Sequence, residues 1–422
     1  MKAGVASVIR TMGWLLASAS AVAAGAAAAA DWPQFMGPNG DGTSAEKGLL
    51  RAWPAGGPKV LWTLQLGPGY GAPAVRDGKV YILDRADQKK DVLRCLDLAT
   101  GKAEWTFSYD APGQVAHDGS RSVPAVSEKY VYTIGAFGHF HCIDRATHEV
   151  AWKKNVLADY GTALPRWAVA QSPLLYKDMV IVAPQSASVG FAAFDQATGK
   201  ERWRSGPVGA MAYGSAKLIT IDGVDQIVVV NGVGAAAASA ADGKNLWSYA
   251  HRCQIAIPNV SDLGGGKFFI TGGYNAGSAV FQVSRQGDAW TAKEVTKIDG
   301  IGGQCHPGLV INNHIYVICN TNNKSDGMVC FDSAGKLVWQ TKRDPFFDKG
   351  GSVLTGDGLI YAVDGASGEL YIVDPSPAGF KSLGKAKILG GQEIWAPVTL
   401  ADGKLLVRDQ GQMKCLDVRA AP

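Results

Sequence analysis

A nine-residue phrase, Asp97-Leu-Ala-Thr-Gly-Lys-Ala-Glu-Trp105, recurs along this chain at Asp144 to Trp152 and at Asp195 to Trp203. A worn form runs from Ser239 to Trp247, and a version one residue shorter runs from Asp332 to Trp339. With Trp62 and Trp290 the tryptophans form a series, Trp62, Trp105, Trp152, Trp203, Trp247, Trp290 and Trp339, spaced 43, 47, 51, 44, 43 and 49 residues apart. Repetition at this period describes one supersecondary unit copied around an array, because a single unit cannot bury its own apolar face.

Within each unit apolar residues alternate with period two, and glycine or aspartate punctuates the gaps, as in half-buried strands. In the first unit, residues 73–75 read as a short strand A, 79–83 as strand B, 92–96 as strand C and 103–107 as strand D. Asp97 is suited to accept from amides of the C-to-D turn, and Gly101 supplies the positive φ such a turn needs. The tryptophan that follows is then placed to pack on a neighbouring unit, a structural role that demands no catalysis.

Pro73, Pro124, Pro173, Ser215, Asn259, Pro307, Ser352 and Pro397 occupy comparable starts of strand A and count eight units, about 46 residues each, the size of a propeller blade. The last unit has strands A, B and C but no D before Pro422, whereas residues 59–64 are a D-type strand with no A, B or C before it. The prediction is an all-β fold, an eight-bladed β-propeller of four-stranded antiparallel blades, closed by an N-terminal strand that completes the last blade and removes the exposed edge. The domain organisation expected is a signal peptide at 1–30, an extended segment at 31–58 and a single propeller at 59–422.

Lys2 and Arg10 precede an uncharged stretch, residues 11–30, that ends in Ala28-Ala29-Ala30, the pattern of an export signal cleaved before Asp31. Retention of that stretch as an anchor is the alternative, and no other segment is apolar enough to span a bilayer. No cysteine precedes Cys95, so no lipobox is present, and the expected location is periplasmic or secreted. Without Lys2 and Arg10 the basic residues fall from 41 to 39 against 37 acids. That near-neutral balance, with no block of like charge, argues against a nucleic-acid partner. Of the seven cysteines, Cys95, Cys142, Cys330 and Cys415 stand two residues before the repeat aspartate, where other units have Ala193, Ala237 and Ile372. That slot reads as small and buried rather than as a disulfide framework.

The phrase Asp-x-Ala-Thr-Gly-Lys-x-x-Trp resembles the tryptophan-docking repeat of the pyrroloquinoline-quinone (PQQ) propeller superfamily. The opening Asp31-Trp-Pro-Gln-Phe-Met-Gly-Pro-Asn-Gly-Asp-Gly-Thr-Ser44 is similar to the start of exported bacterial PQQ-like repeat proteins, with Met36 where arginine is more usual. The resemblance covers the mature chain and implies the fold more strongly than any function. Among such proteins, quinoprotein alcohol dehydrogenases hold PQQ and calcium beside an adjacent cysteine pair; this chain has no Cys-Cys and no Cys-x-x-Cys-His for haem. The propeller subunit of the barrel-assembly machinery is a second relative, normally a lipoprotein. The expectation is an exported, noncatalytic binding or scaffold module, monomeric and without a bound cofactor. The alternative is a PQQ-dependent or related periplasmic oxidoreductase, with PQQ and calcium.

In a propeller the loops from strand D to the next strand A converge on a central funnel, where ligand sites concentrate. Here those segments carry His117, Asp118 and Arg121; Arg166, Trp167 and Gln171; Met211 and Tyr213; Arg252 and Gln254; Gln304, Cys305 and His306; and Glu393 and Trp395. From these the candidate ligand-binding set is His117, Arg121, Trp167, Gln171, Arg252, Gln304, His306 and Trp395, facing a protein partner or a small ligand. Arg121 and Arg252 could equally pair with backbone carbonyls, and Trp167 and Trp395 could simply cap inner strands. No nucleophile with a base, phosphate loop or three-residue metal set is readable, so no catalytic or metal residue is named. His139 and His141 share a strand face, and His148 replaces the turn glycine as a solvated residue.

Overall fold

The computed structural model describes Met1, Gly4 and residues 30–421. Apart from Met1, Gly4 and Ala30, the expected export signal lies outside the described residues. Thirty-two strands form eight four-stranded antiparallel sheets, and the helix among the described residues is one 3₁₀ turn, Ala158–Tyr160. The first blade comprises Ala74–Arg76, Lys79–Ala86, Lys90–Asp97 and Ala103–Asp110, strands A to D from the centre outwards. Strand B is buried nearly throughout while strand D alternates between exposed and half-buried residues, so the core lies between successive blades rather than on their outer faces. Lys59–Gln65 pairs antiparallel with Gln412–Asp417, with Trp62 opposite Cys415, and the ring closes as the sequence requires.

The expected starts of strand A are early by one or two residues in every blade but the seventh, where Ser352 opens the strand. The marker residues instead belong to an inner belt that joins neighbouring blades. Val123 N–H donates to Ser172 Oγ and Ser172 N–H to Ser215 Oγ, each at 2.9 Å. Asn259 Nδ2 donates to Ser215 O at 2.6 Å, Ser261 Oγ to Gly308 O at 2.7 Å, and Thr399 Oγ1 to Pro73 O at 2.7 Å. Each bond stabilises by about 0.5–1.5 kcal/mol, and together they satisfy buried polar groups where the strands converge.

The outer joints use the repeated phrase. Trp62 lies against Gly101 of the following blade, close enough that a Cβ there would fall 2.5 Å from the indole, and its Nε1 donates to Leu98 O at 2.9 Å. Trp152 meets Gly199 and donates to Gln196 O in the same way, whereas Trp203 packs on Gly243 with its Nε1 unpaired. These glycines have positive φ, and the missing Cβ is the seat of the indole. His148, at φ 63, is exposed as expected but also stacks on Trp105, ring centroids 4.7 Å apart. An imidazole face there replaces the bare glycine. The docking tryptophans are half-buried, except Trp247 at 6% exposure.

Trp290 departs from the series. In each other blade with a docking tryptophan, that residue faces the small slot residue across strands C and D, as Trp105 faces Cys95, but Trp290 faces Arg285 near the tip of a long hairpin. Its blade bulges after Val280, which faces Thr296, and Thr296 takes the docking position under Gly335 of the next blade. In the seventh blade the equivalent residue is Gly384, opposite Ile372, and Trp53 from the N-terminal segment lies beside it, donating Nε1 to Leu370 O at 3.1 Å. The cysteine slot is as expected: Cys95, Cys142, Cys330 and Cys415 are buried and unbonded to one another.

Residues 31–58 do more than lead into the ring. Trp32 bridges Val75, Pro33 O accepts from Val126 N–H, Gln34 Oε1 accepts from Leu175 N–H, and Thr43 bridges Leu354. These contacts fall on strand A of blades one, two, three and seven, at the ends away from the D-to-A loops. The segment therefore closes one end of the central channel, with Phe35 turned to its axis and Trp32 buried at 2% exposure.

Candidate functional site

The open end of the channel is a cavity of ≈220 Å³. His117, Arg121, Trp167, Gln304, His306 and Trp395 of the expected set line it together, with Tyr70, Tyr213, Tyr274, Cys305, Asn322 and Phe35 among their neighbours. Gln171 and Arg252 lie outside it. Gln171 is 1% exposed and clasps the backbone of Ala183 through its amide, at 2.8 Å in both directions. Arg252 is exposed to solvent away from the lining.

Blade eight positions one rim of the cavity. Arg408, 2% exposed, donates to Gly67 O at 2.8 Å, and Gln410 accepts from Gly69 N–H at 3.0 Å, fixing the short segment that carries Tyr70. Gln410 Nε2 also donates to Glu393 O at 2.9 Å. Tyr70 Oη donates to Glu393 Oε2, and His117 Nδ1 stands 3.3 Å from the same oxygen. His117 and Glu393 both have positive φ, 59° and 51°, a backbone cost that the surrounding bonds hold. Burial, with the Glu393 carboxylate beside it, pushes the Tyr70 phenol well above its usual range, so it remains a protonated donor.

The charged residues of the site are engaged within the protein. Arg121 donates to Gly119 O and Ala116 O at 2.7 Å and to His117 O, the carbonyl-pairing arrangement. Burial lowers its pKa from the ordinary arginine value. Gly119 makes that turn possible, since a Cβ there would lie 1.8 Å from Pro68 O. Asp348 accepts from Lys349 Nζ at 2.9 Å and from Trp395 Nε1 at 2.6 Å, and Lys349 Nζ stands 4.4 Å from the centre of the Trp395 ring. The Tyr70 ring stacks on Trp395 at 5.7 Å, and the Arg121 guanidinium lies 5.7 Å from Tyr70. Lys349, Trp395, Tyr70 and Arg121 thus form one run of cation–π and ring–ring contacts.

His306 and Cys305 are held rather than reactive. Burial pushes the His306 imidazole down to about 4, and its Nε2 lies 3.0 Å from Trp395 O, a tie between blades six and eight. Burial likewise pushes the Cys305 thiol up to about 12, far from a thiolate nucleophile at neutral pH. Among the described residues no three His, Cys, Asp or Glu side chains converge as metal ligands. Across the cavity Trp167 meets Tyr213 edge-on at 5.5 Å, and Ile255 and Ile257 complete an apolar wall. The site therefore has a polar wall from the segments leading into blades one, two, six, seven and eight and an apolar wall from those leading into blades three to five.

Tyr70, Phe35 and Asn322 were outside the expected set. Tyr70 lies on the segment between the N-terminal strand D and the first strand A, so treating Lys59–Gln65 as the end of blade eight is the signal that finds it. Asn322 lies in a B-to-C turn, and Phe35 belongs to a segment outside the repeat that carries no such signal.

Comparison with known proteins gives the same architecture. A PQQ-repeat family model described as outer membrane protein assembly factor BamB matches residues 89–311, more than half of the chain. Over 161 residues the chain is 29% identical to the dehydrogenase subunit of alcohol dehydrogenase (quinone) from Gluconacetobacter polyoxogenes, covering 35% of this chain and 21% of that subunit. The chain thus matches about a fifth of the length of that relative. The structure resembles quinohemoprotein alcohol dehydrogenase from Comamonas testosteroni, with a TM-score of 0.63 at 14% identity over 93% of this chain and 81% of that one. It also resembles the computationally designed Ika8 protein, with a TM-score of 0.53 at 14% identity over 85% of this chain and 99% of that one. At such identities the likeness is one of fold alone. Docked tryptophans, eight closed blades and the match over more than half its length together place the chain in the PQQ-repeat family described as outer membrane protein assembly factor BamB.

Proposed function

We propose that this protein is an exported propeller, its mature chain starting near Asp31 with the ring at 59–422, that acts in the periplasm or outside the cell as a noncatalytic binding module. Its binding surface is the funnel, through which it takes a small ligand or part of a protein partner. The observation that carries this reading is the funnel itself: a one-ended cavity with an apolar wall, whose charged side chains are satisfied within the protein. The family description, an assembly factor, points the same way. No helix among the described residues is long and apolar enough to cross a membrane.

The second reading, a quinoprotein-type dehydrogenase, is favoured by the 29% match to an alcohol dehydrogenase subunit. The funnel residues do not fit PQQ with calcium. A fused tricycle bearing three carboxylates needs several free cationic donors, but Arg121 is committed to carbonyls and Lys349 to Asp348. At ≈220 Å³ the cavity is also below the ~300–1,000 Å³ common for sites of larger ligands. Incubating the purified protein with PQQ and calcium, followed by gel filtration, separates the readings. The binding-module reading expects no retained quinone absorbance; retained absorbance with dye reduction by alcohols would overturn it.

A further inference from the structure

Three lysines are buried among the described residues, Lys217, Lys349 and Lys404. Lys349 Nζ pairs with Asp348 at 2.9 Å and Lys404 Nζ with Asp402 at 2.7 Å. Lys217 has no such partner: its Nζ donates to Val260 O at 3.0 Å and to nothing else among the described residues. The acids that act on it, Asp41 and Asp262, are held in turns of their own. Asp41 Oδ1 accepts from the Thr43 N–H at 2.9 Å and from its hydroxyl at 2.6 Å, and Asp262 Oδ1 accepts from Gly264 N–H at 2.8 Å. An ammonium at this position is desolvated without a paired counter-ion. Burial accordingly lowers the Lys217 pKa from its ordinary value, against the weaker opposing pull of Asp41 and Asp262.

This lysine borders a second cavity. A volume of ≈400 Å³ lies between residues 34–41 and strand A of blades three and four, and Lys217, with 6% exposure, is part of its lining. Pro38, Asn39, Thr220 and Asp262 on its border are exposed, so the cavity opens to solvent. Leu174, Ile219 and Pro307 give it apolar surface, and its charged lining besides Lys217 is the acidic pair Asp41 and Asp262, which disfavours an anion. A desolvated lysine in such surroundings has its nitrogen lone pair free to attack a carbonyl carbon. We propose that Lys217 captures an uncharged aldehyde as an imine in this cavity. The amine nitrogen bonds to the carbonyl carbon, and the carbonyl oxygen leaves as water with the two amine protons. A carbon–nitrogen double bond replaces the carbon–oxygen one, so neither oxidant nor reductant is consumed. The site stands whether or not the funnel binds a ligand.

The test is reductive trapping on the purified protein, with benzaldehyde and sodium cyanoborohydride at pH 7, followed by peptide mapping by mass spectrometry. Lys217 should be benzylated at least ~10-fold faster than the exposed Lys59, Lys102 and Lys293, because an ordinary lysine, with a pKa of about 10.4, is almost wholly protonated at that pH. The carboxylated analogue, para-carboxybenzaldehyde, should label Lys217 at least ~3-fold more slowly than benzaldehyde does, with no such difference at the exposed lysines. Lys217→Met should abolish the fast-labelled site with the melting temperature retained. Labelling of Lys217 no faster than that of the exposed lysines, or equal labelling of it by the two aldehydes, would overturn the inference. The map of the unsubstituted protein decides this even where Lys217→Met fails to fold.

Discussion

The outer joints and the funnel are built from the same eight blades but by opposite rules. At the joints one contact recurs with variations: a half-buried indole on the turn of the following blade, against a bare glycine at Gly101, Gly199 and Gly243, and with Nε1 on a turn carbonyl at Leu98, Gln196 or Ser376. At the funnel nothing repeats, and each blade contributes a different side chain, with strained backbone at His117 and Glu393. The difference teaches that stability here is divided among interchangeable units, as in other repeat arrays, while recognition is concentrated where the units differ. Damage to one joint should cost stability without altering the site, and damage to the rim should do the reverse.

The largest break of this comparison is deletion of residues 31–66. It removes both strand D of blade eight and the segment closing the channel, so joints and funnel fail together; the expected outcome is loss of cooperative unfolding by circular dichroism, with aggregation. An equally stable monomer would show that closure is not needed. A single joint is tested by Gly101→Ala, which combines positive φ with a Cβ 2.5 Å from Trp62. Urea unfolding should show a loss of about 2–4 kcal/mol. Gly78→Ala, also at positive φ but with nothing within 4 Å, should lose only about 1–2 kcal/mol. Equal losses would mean that the indole seat contributes nothing.

Acid probes both regions at once. His141, packed on Tyr109 at the joint of blades one and two, and His306, at the funnel, are each pushed down by burial from 6.5 to about 4. The folded state thus holds them neutral while the unfolded chain takes up protons below about 6.5. Their stability contribution is complete above that pH and is lost as pH falls toward 4, on the order of 1–3 kcal/mol each. Melting temperature measured from pH 7.5 to 4 should fall across that window, and less steeply in His141→Gln. The smallest effect expected is that of Tyr70→Phe, which removes one bond to Glu393 at a partly open rim. Stability should change by about 1–2 kcal/mol or less, while Trp395 fluorescence shifts because its stacking neighbour is released.

The two regions also differed in how far they could be read from residues alone. The phrase located the joints because its parts are physically coupled: the aspartate shapes the turn, the glycine leaves the seat and the tryptophan fills it. Spacing without the phrase misled at Trp290, where a hairpin of two ten-residue strands carries the indole out toward the turn and Thr296 takes its place. At the funnel, loop membership brought six residues to one cavity, but loop membership does not give direction. Gln171 turns inward to its own blade and Arg252 turns to solvent. Phe35 was illegible because no local pattern reports that a segment before the repeat will cross beneath it.

That crossing segment has a kinetic consequence. With Trp32 and Phe35 across the far end, the channel is a cup rather than a pipe, and whatever enters must leave by the same mouth. Arrival and departure then share one barrier, set at the Tyr70, His117 and Glu393 gateway. A change at Glu393, the gateway residue outside the lining, would scale the on-rate and off-rate by the same factor, so residence time would shift while affinity stayed fixed.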